Sequence, residues 1–500
     1  MATAPAPAPA PASTACTGCS GAAAPPTPGR FAVVDGGDRS FLFLPELYRL
    51  FDIPDAVREA LSDFGAGTVS DNLPGLRPGE AGVRAAMRAV IAAHADTAAP
   101  LPPADPDPVP DLKDLVLNVS QLCNLACAYC YAEDLNSAGT RMRPDTADTI
   151  LDAAMALSRS GIGSIKFLGG EPTLAFETIR HVVAAVERRW PAAGWPLPVF
   201  VVVTNGTAVT DAMIAFFREH DFYVLVSLDG PPAVHDTLRP FAGGRGSYHR
   251  ASETVRRLRA AGVDGAVEAV YTRTHAQAGL SVRDLADHIR SLGVTEMQIT
   301  LALGTWHGED CRAELEAVTE SFVAVARACV RSLRTADPFL LRGIHFVLDG
   351  LVKRERRGHV CGAGRTFMAV NADGTAYPCY LLQSAETRYG VLGGDWSQDR
   401  YAAVSDRFRA NGKSHHAPCR ECWANEICQS CLGSSFLLDQ RIDKPPAWFC
   451  AVQKTLIAAV LGEVADALRS DDRAVFLRAL AQVLKPRSPT RAGAARTAAE

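Results

Sequence analysis

The sequence predicts an α/β protein: a partial, TIM-like (β/α)6 barrel with a small N-terminal α+β module and a loop-rich C-terminal domain that holds half of the cysteines. Three observations predict it. Between residues 113 and 337 short apolar runs alternate six times with amphipathic helical stretches. After 338 the alternation stops, and seven cysteines fall between Cys361 and Cys450. Before 113 a hairpin signal and two helical stretches are set apart by six prolines in residues 100–110, a stiff linker. The expected divisions are a tail (1–29), the module (30–98), the linker (99–112), the barrel (113–337), the cysteine-rich domain with a closing helix (338–470), and a C-terminal helix and tail (471–500).

Composition narrows the class. A net charge of −4 offers no basic field to nucleic acid or an anionic membrane surface. No run of about 18 uninterrupted apolar residues occurs, so no membrane-spanning helix is expected. Residues 1–29 lack a basic n-region and a compact apolar h-region, so the expected location is the cytoplasm. In that reducing compartment the fourteen cysteines point to metal or redox chemistry rather than to disulfides.

Taken in order, the Ala/Pro-rich tail is expected to be disordered. Its Cys16-x-x-Cys19 pair reads as incidental thiols, with a labile metal or redox role as the alternative. Apolar runs at 31–34 and 41–44 flank Asp35-Gly36-Gly37-Asp38, a hairpin signal, and helices are expected at 54–64 and 81–94. The barrel pairs strands with helices at 115–119/144–158, 165–168/178–189, 199–203/211–219, 223–227/248–261, 266–271/282–292 and 297–301/313–333. Such barrels bind ligands at the carboxyl ends of their strands. Residues 452–468 read as the closing helix.

The loop after the first barrel strand reads Cys123-Asn-Leu-Ala-Cys127-Ala-Tyr-Cys130. Three clustered thiolates can wrap one side of a cubane cluster and leave one iron without a protein ligand. Structural zinc normally takes four ligands and closes its site. This C-x3-C-x2-C, with an aromatic residue before its last cysteine, resembles the signature of the radical S-adenosylmethionine enzymes. The resemblance implies that Cys123, Cys127 and Cys130 hold a [4Fe–4S] cluster whose open iron is chelated by S-adenosylmethionine. One electron then cleaves the sulfonium, and the 5′-deoxyadenosyl radical abstracts hydrogen.

Further strand ends look like family rim positions. Gly169-Gly170-Glu171-Pro172 reads either as an ordinary tight turn or as the family's second motif; in the second reading the glycines let backbone approach the ligand and Glu171 or its neighbouring carbonyls meet the methionine ammonium. Asn205 closes the third strand, and Ser227 closes the fourth and would touch the ribose or carboxylate. Asp229 is a rim residue or a turn former, Arg239 would pair with the carboxylate, and Tyr129 would lie against the adenine. Thr272 is a weaker candidate.

In the C-terminal region Cys361 leads through Gly374 to Cys379, followed by Cys419-x2-Cys422-x5-Cys428-x2-Cys431 and Cys450. Zinc knuckles are the alternative, but seven cysteines exceed one tetrahedral site and fall one short of two. The order resembles the SPASM domain, which holds two auxiliary [4Fe–4S] clusters. That implies Cys361, Cys379 and Cys431 for the first and Cys419, Cys422, Cys428 and Cys450 for the second. Only Gln429 and Ser430 separate the last two cysteines of the run, where the family commonly has three residues. No cysteine lies within 353–360, so the first cluster either keeps an open iron or borrows a ligand such as His359. Cys311 and Cys329 read as buried thiols, with Cys329 available for recruitment. Together the resemblances span roughly residues 113–455.

SPASM enzymes mostly modify peptides or proteins, which implies a precursor peptide or protein as substrate and a reductase or flavodoxin-type electron donor. The sulfatase-maturating branch carries an acidic residue directly after the cysteine of G-x4-C. Here that position is Tyr380, which counts against formylglycine formation and leaves Tyr380 as a candidate for proton or radical work. The module at 30–98 loosely resembles winged-helix leader-binding elements, an inert brace being the alternative. The expected function is a radical maturase installing a thioether, carbon–carbon or related modification. The alternatives are a protein side-chain oxidase of the sulfatase-maturating type and a non-catalytic iron–sulfur adaptor, for which an intact triad and GGEP have no use.

Overall fold

Two sheets organise the chain. The computed structural model describes residues 30–36, 39–45, 47–53, 67–68, 110–136, 139–302, 312–443 and 445–485. The expected tail with Cys16 and Cys19, the helices at 54–64 and 81–94, nearly all of the linker, Cys311 and the residues after 485 lie outside them. At the N-terminus β1 (Arg30–Gly36), β2 (Arg39–Leu44), β3 (Arg49–Asp52) and β4 (Gly67–Thr68) pair antiparallel in the order β3-β2-β1-β4.

The second sheet contains the six predicted barrel strands: β5 (Asp114–Ser120), β6 (Ser164–Gly169), β7 (Val199–Thr204), β8 (Tyr223–Ser227), β9 (Gly265–Tyr271) and β10 (Glu296–Leu301). They run parallel because a helix returns the chain between successive strands. The helices are Pro144–Leu157, Phe176–Ala192, Asp211–Glu219, Tyr248–Ala260, Val282–Ser291 and Arg312–Ser332. Alternation decides which residues face them: Leu115, Leu117 and Val119 of β5 and Val267, Ala269 and Tyr271 of β9 join the helix-packed core. The residues between them, including Glu268, face the barrel interior.

Beyond residue 338 the structure adds elements that the sequence did not announce. β11 (Leu340–Leu341) extends the sheet beside β10 and leads into the helix Arg342–Lys353. At the opposite edge β12 (Phe367–Val370) pairs in parallel with β5, and β13 (Thr375–Tyr377) and β14 (Gly390–Val391) follow antiparallel. The C-terminal domain therefore continues the barrel sheet across the open edge of β5. This fixes Cys361 and Cys379, which bracket β12 and β13, relative to the barrel.

The long helix Ala447–Arg469 joins the two ends of the chain. It packs between Arg312–Ser332 and β1, and backbones touch where they cross: a Cβ on Gly462 would meet Asp35 O at 2.0 Å, and one on Gly36 would meet Gly462 O at 2.6 Å. By length and composition this helix could cross a membrane. Its place is in the core, where buried Glu463 accepts two bonds from Arg331, at 2.8 and 2.5 Å. The small N-terminal sheet is thus seated on the C-terminal helix.

Candidate active site

β5 delivers the chain to the barrel rim at Ser120, and the following loop carries Cys123, Cys127 and Cys130, all half-buried. Backbone bonds pin this loop to the segment before Phe241: Ala126 N donates to Pro240 O (2.8 Å) and Ala128 N to Leu238 O (2.9 Å). Leu125 N lies 3.4 Å and Asn205 Nδ2 3.9 Å from Cys123 Sγ, and Asn136 Nδ2 lies 3.8 Å from Cys130 Sγ. Such N–H donors favour sulfur in its anionic, metal-bound form.

The glycines of GGEP meet this loop. A Cβ on Gly169 would sit 2.2 Å from Ser120 O and one on Gly170 2.3 Å from Leu122 O. Their absence lets Gly170 N donate to Ser120 O (2.7 Å) and Glu171 N to Leu122 O (2.8 Å). Glu171 is fully buried and its carboxylate is turned inward: Oε1 accepts from Thr173 N (3.1 Å), Thr173 Oγ1 (2.5 Å) and Thr204 Oγ1 (2.7 Å), and Oε2 from Asn205 N (2.7 Å). Glu171 therefore braces β6 against β7. Asn205 continues the brace, donating to Asn124 Oδ1 (2.8 Å).

Asp229, beyond β8, is the centre of a buried polar hub. It is fully buried; Oδ1 accepts from Val270 N (2.9 Å), and Oδ2 accepts from the Tyr129 hydroxyl and lies 3.5 Å from Arg239 Nη1. Arg239 Nη1 also donates to the Tyr129 oxygen (2.5 Å). Tyr129 and Arg239, expected against adenine and carboxylate, are here committed to Asp229. Among the described residues Arg239 Nε is buried without a partner, a donor left over beside Cys127. Thr272 is buried behind this hub, with its N–H donating to His275 Nδ1 (3.1 Å), while His275 Nε2 donates to Asp229 O (2.9 Å).

The same hub holds a pH-sensitive group. His235 Nδ1 accepts from Asp229 N (3.1 Å) and Nε2 donates to Ser247 Oγ (2.9 Å), which itself donates to Arg239 O (2.6 Å). This neutral tautomer has no room for a second proton, and burial pushes the pKa down to about 4. Between pH 6.5 and 4 the unfolded chain binds a proton there that the folded chain refuses, so stability falls as pH falls. The expected loss between pH 7 and pH 5 is about 2 kcal/mol from this residue. Urea midpoints at the two pH values measure it; in His235→Gln this part of the decline disappears, and an undiminished decline contradicts it.

Inside the barrel, two aromatic residues link the cysteine sites. Tyr131 directly follows Cys130 and Tyr380 directly follows Cys379; their rings lie 6.2 Å apart, and Phe367 supports Tyr380 at 6.3 Å. Tyr131 is 47 % accessible, and desolvation raises its pKa. Glu268 of β9 raises both phenols electrostatically, after burial and the neighbouring thiols. Ser227 of β8 and Gln298 of β10 are its register neighbours. Tyr131 and Glu268 escaped the sequence reading. The signal for Glu268 is a charged residue in the middle of an apolar strand, facing away from the helices.

The C-terminal thiols fall into two neighbourhoods. Cys379, pushed up to about 12 by burial, feels the charges of Cys431 and Cys361. Cys428, also pushed up to about 12, feels Cys422, Cys450 and Cys419. His359 Nε2 lies 3.0 Å from Arg409 O, the carbonyl to which it donates. Cys329 is fully buried in the core, its sulfur donating to Phe339 O (3.2 Å) and accepting from Leu341 N (3.3 Å).

The donor sets fit iron–sulfur clusters: three thiols share the triad loop, with N–H groups near Cys123 and Cys130, and the C-terminal thiols gather in two groups. Burial pushes the Cys127 thiol up to about 11, so the thiol alone keeps its proton at neutral pH and iron would displace it. Residues 117–292 match the radical SAM superfamily, and residues 361–423 match the SPASM iron–sulfur cluster-binding domain. The chain is a radical SAM enzyme with a C-terminal SPASM domain, whose cofactors are a [4Fe–4S] cluster with S-adenosylmethionine and auxiliary iron–sulfur clusters. It is similar to the serine-type anaerobic sulfatase-maturating enzyme of Klebsiella aerogenes, 27 % identical over 68 % of this chain and 84 % of that protein. It is also similar to the mycofactocin maturase MftC of Mycolicibacterium smegmatis, 25 % identical over 66 % of this chain and 81 % of that one. The solved structure of anSMEcpe with bound AdoMet shares the fold, with a TM-score of 0.62 at 18 % identity over 74 % of this chain and 99 % of that one.

Proposed function

We propose that this enzyme matures a ribosomally made peptide, forming an oxidative cross-link or related modification inside the barrel. The observation that carries the reading is the meeting of the two cysteine sites: Tyr131, which follows Cys130, and Tyr380, which follows Cys379, hold their rings 6.2 Å apart. In this reading Cys123, Cys127 and Cys130 hold the catalytic cluster. Cys361, Cys379 and Cys431 hold one auxiliary cluster, and Cys419, Cys422, Cys428 and Cys450 hold the other. The catalytic cluster with S-adenosylmethionine supplies the 5′-deoxyadenosyl radical that starts the reaction. The protein's own part is positioning and proton traffic. Glu171 and Asn205 fix the rim, the Asp229 hub fixes the triad loop from below, and the phenol pair forms a wall against which a substrate side chain packs. Glu268 takes the proton that the substrate radical loses, and an auxiliary cluster would supply the acceptor for the electron left behind. The relatives named as maturases, and a solved structure of anSMEcpe with bound AdoMet and Cp18Cys peptide, support a peptide or protein as substrate. The reductant is proposed to be a flavodoxin-type donor.

One observation favours a second reading, oxidation of a single protein side chain: the Glu268 carboxylate acts electrostatically on Tyr380. Mass spectrometry separates the two. A small peptide encoded beside the gene is co-expressed anaerobically with the enzyme or with Cys123→Ala. Loss of two hydrogens only with the intact enzyme, in a product inert to hydrazide, supports a cross-link. A hydrazide-reactive product supports the side-chain oxidase, and an unmodified peptide contradicts this peptide as substrate.

A further inference from the structure

The loop from 419 to 431 carries four cysteines, and its regular structure is limited to the one-turn elements Ala417–Arg420 and Asn425–Ile427. Irregular buried backbone must find partners for its carbonyls; this loop has a few turn bonds of its own and draws further donors from outside itself. From one side Lys413, 3 % exposed, donates through Nζ to Asn425 O (2.6 Å) and Cys428 O (2.9 Å). From the other side the donors belong to the N-terminal sheet. Arg30 donates to Cys422 O (3.2 Å) and to the Glu426 carboxylate (3.0 Å). The Tyr48 hydroxyl lies 2.9 Å from Glu426 O and 2.8 Å from Glu355 O.

Apolar packing closes the same contact. Phe43 of β2 meets the ring of Trp423 edge-on at 6.4 Å, and Trp423 directly follows Cys422. Tyr48 holds a left-handed backbone at φ +49°. A bulky residue keeps that conformation only where its surroundings support it; here Tyr48 N donates to Pro45 O in a turn, and its single hydroxyl proton is shared between the Glu355 and Glu426 carbonyls. Residues at opposite ends of the sequence thus meet around the cysteines assigned to the second auxiliary cluster.

We propose that the N-terminal sheet is part of the auxiliary-cluster site: it props and seals the 419–431 loop, so the lifetime of that cluster depends on Arg30 and Tyr48. Anything that binds the sheet then reaches the cluster through these two side chains. The inference rests on the cysteine assignment and not on the identity of the substrate.

The test uses the full chain, reconstituted anaerobically, in a Cys123→Ala background so that the retained iron is auxiliary. Iron content and visible absorbance are followed in air for this parent and for three further variants. Arg30→Ala is expected to lose cluster on the order of tenfold faster, because the loop opens more often without a charge-assisted bond. Tyr48→Phe, which removes one oxygen and keeps the ring, is expected to lose it severalfold faster. Asp52→Ala removes an ion pair between the same sheet and Arg469 that does not touch the loop; it should decay as the parent does. Parent-like decay in both Arg30→Ala and Tyr48→Phe overturns the proposal. So does decay in Asp52→Ala as fast as in Arg30→Ala, since docking in general would then be the cause.

Discussion

Cys123→Ala is expected to abolish cleavage of S-adenosylmethionine, lowering 5′-deoxyadenosine formation by at least about three orders of magnitude. The residue sits where the sheet delivers the triad loop, with Leu125 N and Asn205 Nδ2 directed at its sulfur. Two thiols cannot keep a cubane oriented with its open iron towards the rim. The C-terminal thiols form separate neighbourhoods, so the variant should retain auxiliary iron while losing the catalytic cluster. Chromatography of 5′-deoxyadenosine, together with iron counted per chain, checks both halves. Wild-type cleavage in the variant would contradict the assignment of the triad.

Asp229→Ala is expected to destabilise the protein by about 4 kcal/mol, a large share of a typical folding free energy. The substitution leaves the Arg239 guanidinium, 9 % exposed, without its carboxylate. It also strips Val270 N of its acceptor and frees the Tyr129 hydroxyl. Truncating one member of a buried pair costs more than the pair itself contributes, because the remaining charge stays desolvated. Asp229→Asn keeps an acceptor for Val270 N and should cost about half as much. Denaturant titration of both variants tests this; a loss below about 1 kcal/mol for Asp229→Ala would mean that water reaches Arg239.

The barrel was legible because each strand is an apolar run of five to seven residues followed by a periodic helix; the expected 223–227 strand and 211–219 helix coincide with Tyr223–Ser227 and Asp211–Glu219. β11 to β14 were not legible, since strands of two to four residues carry no period. The cysteine spacing announced the chemistry of the site but not the orientation of its neighbours. Glu171 and Arg239 stand in motif positions that invite a ligand role; in the fold the Glu171 carboxylate meets Thr204 and Asn205 and Arg239 Nη1 meets Tyr129 and Asp229, while Arg239 Nε stays without a partner among the described residues. Tyr131 and Tyr380 meet only once β12 has paired with β5, which no local pattern reports.

The most direct test of the central claim is the path of the abstracted hydrogen. The matured peptide is first mapped by fragmentation, and its precursor is then prepared with deuterium at the modified carbon. Incubated anaerobically with enzyme, reductant and S-adenosylmethionine, it should deliver deuterium into 5′-deoxyadenosine in step with product formation. Deuterium absent from 5′-deoxyadenosine while the product still forms would contradict hydrogen abstraction in this barrel.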